Sequence, residues 1–302
     1  MNVPYRSLRA LPAHWAHVRH SLPALVLLAA TLLSAPLSAQ VRDSSDHRTI
    51  TPRDTAHAER HQTLFTYRDA ALAAAFAGLT VAMFPADRHI AGQLQDEDLQ
   101  HLHWADQAAK SVEWITSPGA YVIGGSLYAF GRIAHRPDVA DLGWHGTEAV
   151  LISSGITGLL KGTLGRARPF VTSDTNARDF KIFKGFSDSD RQSFPSGHTT
   201  TAFAAASAVT SEMRRLYPQY VWAVAPVMYG GATLVGISRM YHNKHWASDV
   251  VLGAAVGTFS GLKVVRYSHA HPDNKLDKVI LHATVMPDGH GGGYLGFTLP
   301  AP

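Results

Sequence analysis

From residue 67 onward the chain alternates long apolar stretches with short charged ones. Weakly charged segments recur at 69–85, 114–132, 145–161, 198–213, 219–238 and 247–266, each rich in alanine and glycine. Their length and their small residues predict six closely packed helices. Breakers separate them at Pro118, Pro137, Pro169, Pro195 and Pro218, with helix starts expected at Ser117–Pro118 and at Ser196. Strand signals are confined to the end, where 279–286 and 294–299 flank the turn-rich 287–293, a pattern that predicts a short C-terminal hairpin. The expected class is all-α, with residues 67–270 as the helical domain and 271–302 as a tail.

The 302 residues carry a net charge of +4. Arg6, Arg9 and Arg19 fall within 1–39, which has no acidic residue; removing those three from 27 leaves 24 basic against 23 acidic residues. The basicity therefore belongs to the N-terminus, and a nucleic-acid partner is not indicated. A basic start, an apolar run at 22–33 and Leu37-Ser38-Ala39 read as a secretory signal over 1–39, followed by a polar arm at 40–66. Export to the periplasm or its membrane face is expected. With no cysteine, disulfides and thiolate chemistry are excluded.

Candidate chemistry lies in three short segments. Lys161-x6-Arg168-Pro169 ends the third helix, Pro195-Ser196-Gly197-His198 opens the fourth, and Ser238-Arg239-x5-His245-x3-Asp249 joins the fifth to the sixth. Lys161, Arg168 and Arg239 supply cations for the oxygens of a tetrahedral anion, the two arginines as planar forks. Ser196 and Gly197 sit where free helix N–H groups face outward. His245 and Asp249, four apart, share a helix face, so the carboxylate is expected to orient the imidazole for attack on phosphorus. His198 remains to protonate the leaving oxygen.

Together these positions resemble the signature of the type 2 phosphatidic acid phosphatase superfamily, which also holds bacterial acid phosphatases and vanadium haloperoxidases. The likeness covers about 145–266. It implies a six-helix bundle of the acid phosphatase/haloperoxidase type and a phosphatase that needs neither metal nor cofactor. It also implies a phosphohistidine on His245, with Asp249 orienting it, His198 as acid and then base, and Lys161, Arg168, Ser196, Gly197 and Arg239 on the phosphoryl oxygens. Vanadate should inhibit.

Alternatives are a soluble non-specific acid phosphatase, a vanadate-dependent haloperoxidase, a silent anion-binding module, and a metallohydrolase using His242, His245 and Asp249. His101, His103, His269, His271 and His290 are assigned to surface or loop roles. Apolar helices, with Trp104, Trp114, Tyr217, Tyr220 and Trp246 near their ends, favour a lipid or polyprenyl phosphate over a soluble ester. Only 216–238 is uncharged over the length of a bilayer crossing. With a mean hydropathy of −0.04, a soluble or peripherally attached domain is the expectation.

Overall fold

A computed structural model describes residues 64–271, 274–281, 283–287 and 293–297. All lie in one unit, Arg60–Pro302. The expected signal at 1–39 and nearly all of the arm lie outside the described residues.

Among the described residues, ten α-helices run in the order α1 Tyr67–Met83, α2 Asp87–Leu94, α3 Glu97–Gln100, α4 His103–Thr116, α5 Gly119–Ile133, α6 Pro137–Leu164, α7 Gly197–Leu216, α8 Val221–Tyr241, α9 Ala247–Ala270 and α10 Lys275–Leu281. Strands β1 Ala283–Pro287 and β2 Gly293–Phe297 pair antiparallel. Each of the six apolar segments lies in helix, with 114–132 divided at Ser117–Pro118 between α4 and α5. The shorter, more charged α2, α3 and α4 were not anticipated, because their apolar residues are too few to stand out. The C-terminal hairpin forms, but 279–281 belong to α10 rather than to its first strand.

The core is a sandwich of α6, α7 and α9. Ala149 and Val150 from α6 meet Ala204 and Ala208 from α7 and Val264 and Val265 from α9. Close approach of α7 to α9 depends on a glycine stripe, Gly253, Gly257 and Gly261, one turn apart. A methyl group on Gly257 would stand 2.3 Å from the carbonyl oxygen of Thr200, and one on Gly253 2.7 Å from that of Ser196. Small residues at this spacing let helix backbones touch, the packing device of membrane bundles. Around this core α5 lies on α6, α8 on α7, α4 on α8 and α1 on α9.

The outer helices do not bury their apolar faces. On α8, Trp222, Val227 and Leu234 are exposed, Trp222 by 79%; on α5, Val122 and Ile133, and on α6, Leu159, are exposed as well. Pro218–Tyr241 and Ala247–Ala270 are long and apolar enough to cross a membrane, and α1 with α2 forms a third candidate bent by 67°. Large apolar side chains exposed in such number mark a surface that meets something other than water. The expectation of a soluble or peripheral domain is therefore corrected: this is a membrane protein. The sequence average misled because charged loops and short polar helices dilute the apolar spans. Trp246, expected near a helix end at an interface, is instead 1% exposed and belongs to the core.

Candidate active site

The three motifs meet at one end of the α6–α7–α9 core. Lys161 occupies the last turn of α6, which Gly165 closes in the left-handed region at φ +58°. A side chain there would collide with the carbonyl of Lys181, 1.9 Å away, so glycine is needed to turn the chain into the Arg166–Arg168 loop. The Lys161 ammonium donates to the carbonyl of Gln192, and its stem runs 3.6 Å from where a Gly197 side chain would begin. Arg168 is anchored by its Nε, which donates to the Ser189 carbonyl at 3.2 Å.

At the start of α7 the geometry departs from expectation. The N–H of Ser196 is not free for an anion, because it donates to the carbonyl of Asp249 at 2.9 Å. The Ser196 hydroxyl is fully buried and accepts from Thr199 Oγ1 at 2.9 Å rather than capping the helix. The N–H groups without intrahelical acceptors are those of Gly197, His198 and Thr199, the first turn of α7. Ser196 thus ties α7 to α9, and the anion-facing donors begin one residue later.

His245 lies in the turn between α8 and α9 and is almost fully buried. Its Nδ1 is 2.7 Å from the Ser193 carbonyl and 3.5 Å from Asp249 Oδ2. A carbonyl only accepts, so Nδ1 carries the proton and Nε2 holds the free lone pair. The direct orienting group is therefore the Ser193 backbone, not Asp249 as expected. Asp249 acts one step back: its Oδ2 accepts from the Ser193 hydroxyl at 2.5 Å and from the Trp246 N–H at 2.8 Å.

Sequence reasoning missed Arg166, which holds the other side of Asp249. Its guanidinium, fully buried, donates to Asp249 Oδ1, to Ser248 Oγ at 2.7 Å and to Asp87 Oδ2 at 2.7 Å. Phe84, Phe180, Phe194 and Trp246 wrap it, with ring centres 4.8 to 5.5 Å from its central carbon. The one available signal was a second arginine inside the first motif, two residues before Arg168.

Arg239 is not empty-handed. Its Nη1 donates to Glu113 Oε2 at 2.5 Å, and the other oxygen of Glu113 meets His242 Nδ1 at 2.8 Å. Asp106 reaches His242 Nε2 at 3.2 Å. Two carboxylates of α4 thus cover the third motif, and His242 turns toward them. It does not converge with His245 and Asp249, which removes the basis for the expected metallohydrolase alternative.

Both histidines are biased toward the neutral form. Burial pushes His245 down to about 3, helped by the Lys161 charge and only partly opposed by Asp249. His198 is pushed down to about 4, first by burial and then by the charge of Arg239, with Lys161 and Arg168 adding to it. Burial and the neighbouring Arg239 lower Arg168 as well. Lys161, Arg168 and Arg239 therefore act electrostatically on one another and on the imidazoles. Such crowding of like charges is unfavourable until an anion arrives.

A helical bundle with this cation cluster at one end presents a site whose charge suits an anion. Residues 143–273 match the family model of the PAP2 superfamily. The lipid A 1-phosphatase of Porphyromonas gingivalis is 51% identical over 69 residues, 23% of this chain and 15% of that protein. Those of Rhizobium johnstonii and Rhizobium etli are 37% identical over 115 and 122 residues, covering 37% and 39% of this chain and 42% and 47% of theirs. The chain thus spans less than half the length of these curated relatives. Among solved structures, the transmembrane PAP2-type phosphatidylglycerolphosphate phosphatase of Bacillus subtilis aligns at 21% identity and a TM-score of 0.48, over 70% of this chain and 99% of that one. LpxE of Aquifex aeolicus aligns at 20% identity and a TM-score of 0.43, over 60% and 96%.

Proposed function

We propose that the protein is a membrane phosphatase that removes a phosphate group from a lipid, with a lipid A 1-phosphate as the favoured substrate. The observation that carries the reaction class is the clustering of Lys161, Arg168 and Arg239 around two neutral imidazoles at the first turn of α7. The lipid class rests on the apolar outer helices, and the choice of lipid A on the names of the three relatives. The reactive end faces the periplasmic side in this reading, with an exported N-terminus.

In the mechanism, phosphate oxygens lie against Lys161, Arg168, Arg239 and the N–H groups of Gly197, His198 and Thr199. The dianion raises the affinity of His198 for a proton, reversing the bias of the empty site. Nε2 of His245 attacks phosphorus in line; the P–N bond forms as the bond to the lipid oxygen breaks, and His198 gives that oxygen its proton. Water then attacks phosphorus, His198 takes its proton, and the P–N bond breaks to release inorganic phosphate. The Ser193 carbonyl holds the Nδ1 proton throughout, while Asp249 fixes Ser193 and Arg166 fixes Asp249.

The test is phosphate release by detergent-purified protein from a panel of lipid A 1-phosphate, phosphatidate, phosphatidylglycerophosphate, a polyprenyl diphosphate and a soluble aryl phosphate. Release from the lipids, with lipid A fastest, and none by a folded His245→Ala variant is expected. Residual turnover in that variant refutes the nucleophile, and preference for the soluble ester refutes the substrate class.

A further inference from the structure

At the opposite end of the same three core helices lies a second cluster that the phosphatase reading leaves unused. His145 sits in the first half of α6, Glu212 near the end of α7 and His269 near the end of α9. Nδ1 of His145 is 2.6 Å from Glu212 Oε1, and Nε2 of His269 is 2.8 Å from the same oxygen. One ligand atom from each lies within 4.8 Å of the other two. His145 and Glu212 are each 1% exposed. Assigning His269 to a surface role from sequence is corrected here, since its ring stacks edge-on against His145 at 5.2 Å.

We propose that His145, Glu212 and His269 form a binding site for one divalent transition-metal ion of the zinc type. Two imidazoles and a carboxylate are a donor set suited to zinc, and the site leaves a fourth position for water or the second Glu212 oxygen. One buried atom favours an ion over a closed hydrogen-bond network. Glu212 Oε2 lacks a hydrogen-bond partner, which is costly in so dry a place. Tetrahedral metal–ligand distances of about 2.0–2.2 Å would need the two imidazole nitrogens to draw back from Glu212 Oε1 by about 0.5–1 Å.

The surroundings fit the same reading. Asp277 Oδ2 stands 3.7 Å from His145 Nε2, where an outer carboxylate orients a metal-bound imidazole. Trp144 Nε1 at 2.8 Å and Asn274 Nδ2 at 2.6 Å hold Asp277 in turn. Glu148 also presents a buried, unpartnered oxygen. Glu212 Oε2 also faces Arg215, whose Nε is 3.9 Å away and whose side chain is half in solvent. The His269 side chain, 20% exposed, gives an ion a way in.

The experiment uses the full chain, purified in detergent without a histidine tag, equilibrated with Zn²⁺ and passed over a desalting column before elemental analysis. Wild type should retain one zinc per chain and melt at higher temperature with zinc than after chelation. His269→Ala should lose both the zinc and the shift while keeping its helix content; His269→Gln, which can still hydrogen-bond Glu212, serves if the alanine variant does not fold. Co²⁺ loaded in place of zinc should give the visible absorption of a tetrahedral site. Folded wild type that retains no zinc overturns the proposal, as does zinc retained undiminished in a folded His269 variant.

Discussion

Replacing Arg166 with methionine removes a fully buried cation while keeping most of its volume. The guanidinium bridges Asp87 on α2 and Asp249 on α9, both fully buried, so the variant leaves two carboxylates facing one another without a counter-charge. Removing one partner of a buried ion pair costs about 3–5 kcal/mol. For a domain of this size each kcal/mol corresponds to about 2–4 °C in melting temperature, so a fall of roughly 6–20 °C is expected. Lysine at 166 should recover part of that, because a single ammonium cannot reach both carboxylates and Ser248 at once. A thiol-independent thermal melt in detergent measures the loss, and phosphate release measured well below the melting point separates stability from catalysis. Activity should fall too, since Asp249 loses the anchor that fixes Ser193 and His245. Melting within 2 °C of wild type would refute the view that Arg166 neutralises this pair, and an unchanged rate would refute its link to the imidazole.

Three further outcomes are open to test. Glu113→Gln frees Arg239 from its 2.5 Å carboxylate partner, and phosphate or vanadate should then bind about tenfold tighter, equivalent to roughly 1.4 kcal/mol; equal or weaker inhibition would show that Glu113 positions the arginine instead of competing for it. Because His198 must carry a proton yet is held at about 4 in the empty site, kcat/KM should fall as pH rises above that value, while kcat, which reports the liganded site, should hold to higher pH. After allowance for the substrate's own ionisation, coincident basic limbs would contradict a proton that arrives with the anion. Gly257→Ala places a methyl 2.3 Å from the Thr200 carbonyl, and a loss of about 1–3 kcal/mol is expected; a melting curve identical to wild type would mean that α7 and α9 are not in tight contact.

The long helices were legible because alanine, glycine and proline punctuate them, and the three motifs were legible because their residue types have few other uses in that order. Spacing does not report which hydrogen bond a backbone makes. Ser196 therefore read as an anion donor, although its N–H serves Asp249, and Ser193 was invisible because its contribution is a carbonyl that any residue could supply. Arg166 was passed over, since nothing in its neighbours says that it turns inward against four aromatic rings. Glu113 and Asp106 come from a helix about 130 residues away in sequence, too amphipathic to register among apolar segments. Membrane character was hidden by averaging, as exposure of the outer faces is a property of packing.

α6, α7 and α9 each hold a group at both of their ends. From Lys161 back to His145 is sixteen residues, from His198 to Glu212 fourteen, and from Asp249 to His269 twenty, or about 24, 21 and 30 Å at 1.5 Å per residue. Those lengths approach the thickness of a hydrocarbon layer. A change that slid or tilted one of these rods at its far terminus would be transmitted, with little slack, to the side chains that grip phosphorus. What happens at one end of the bundle is in that sense mechanically answerable to events at the other.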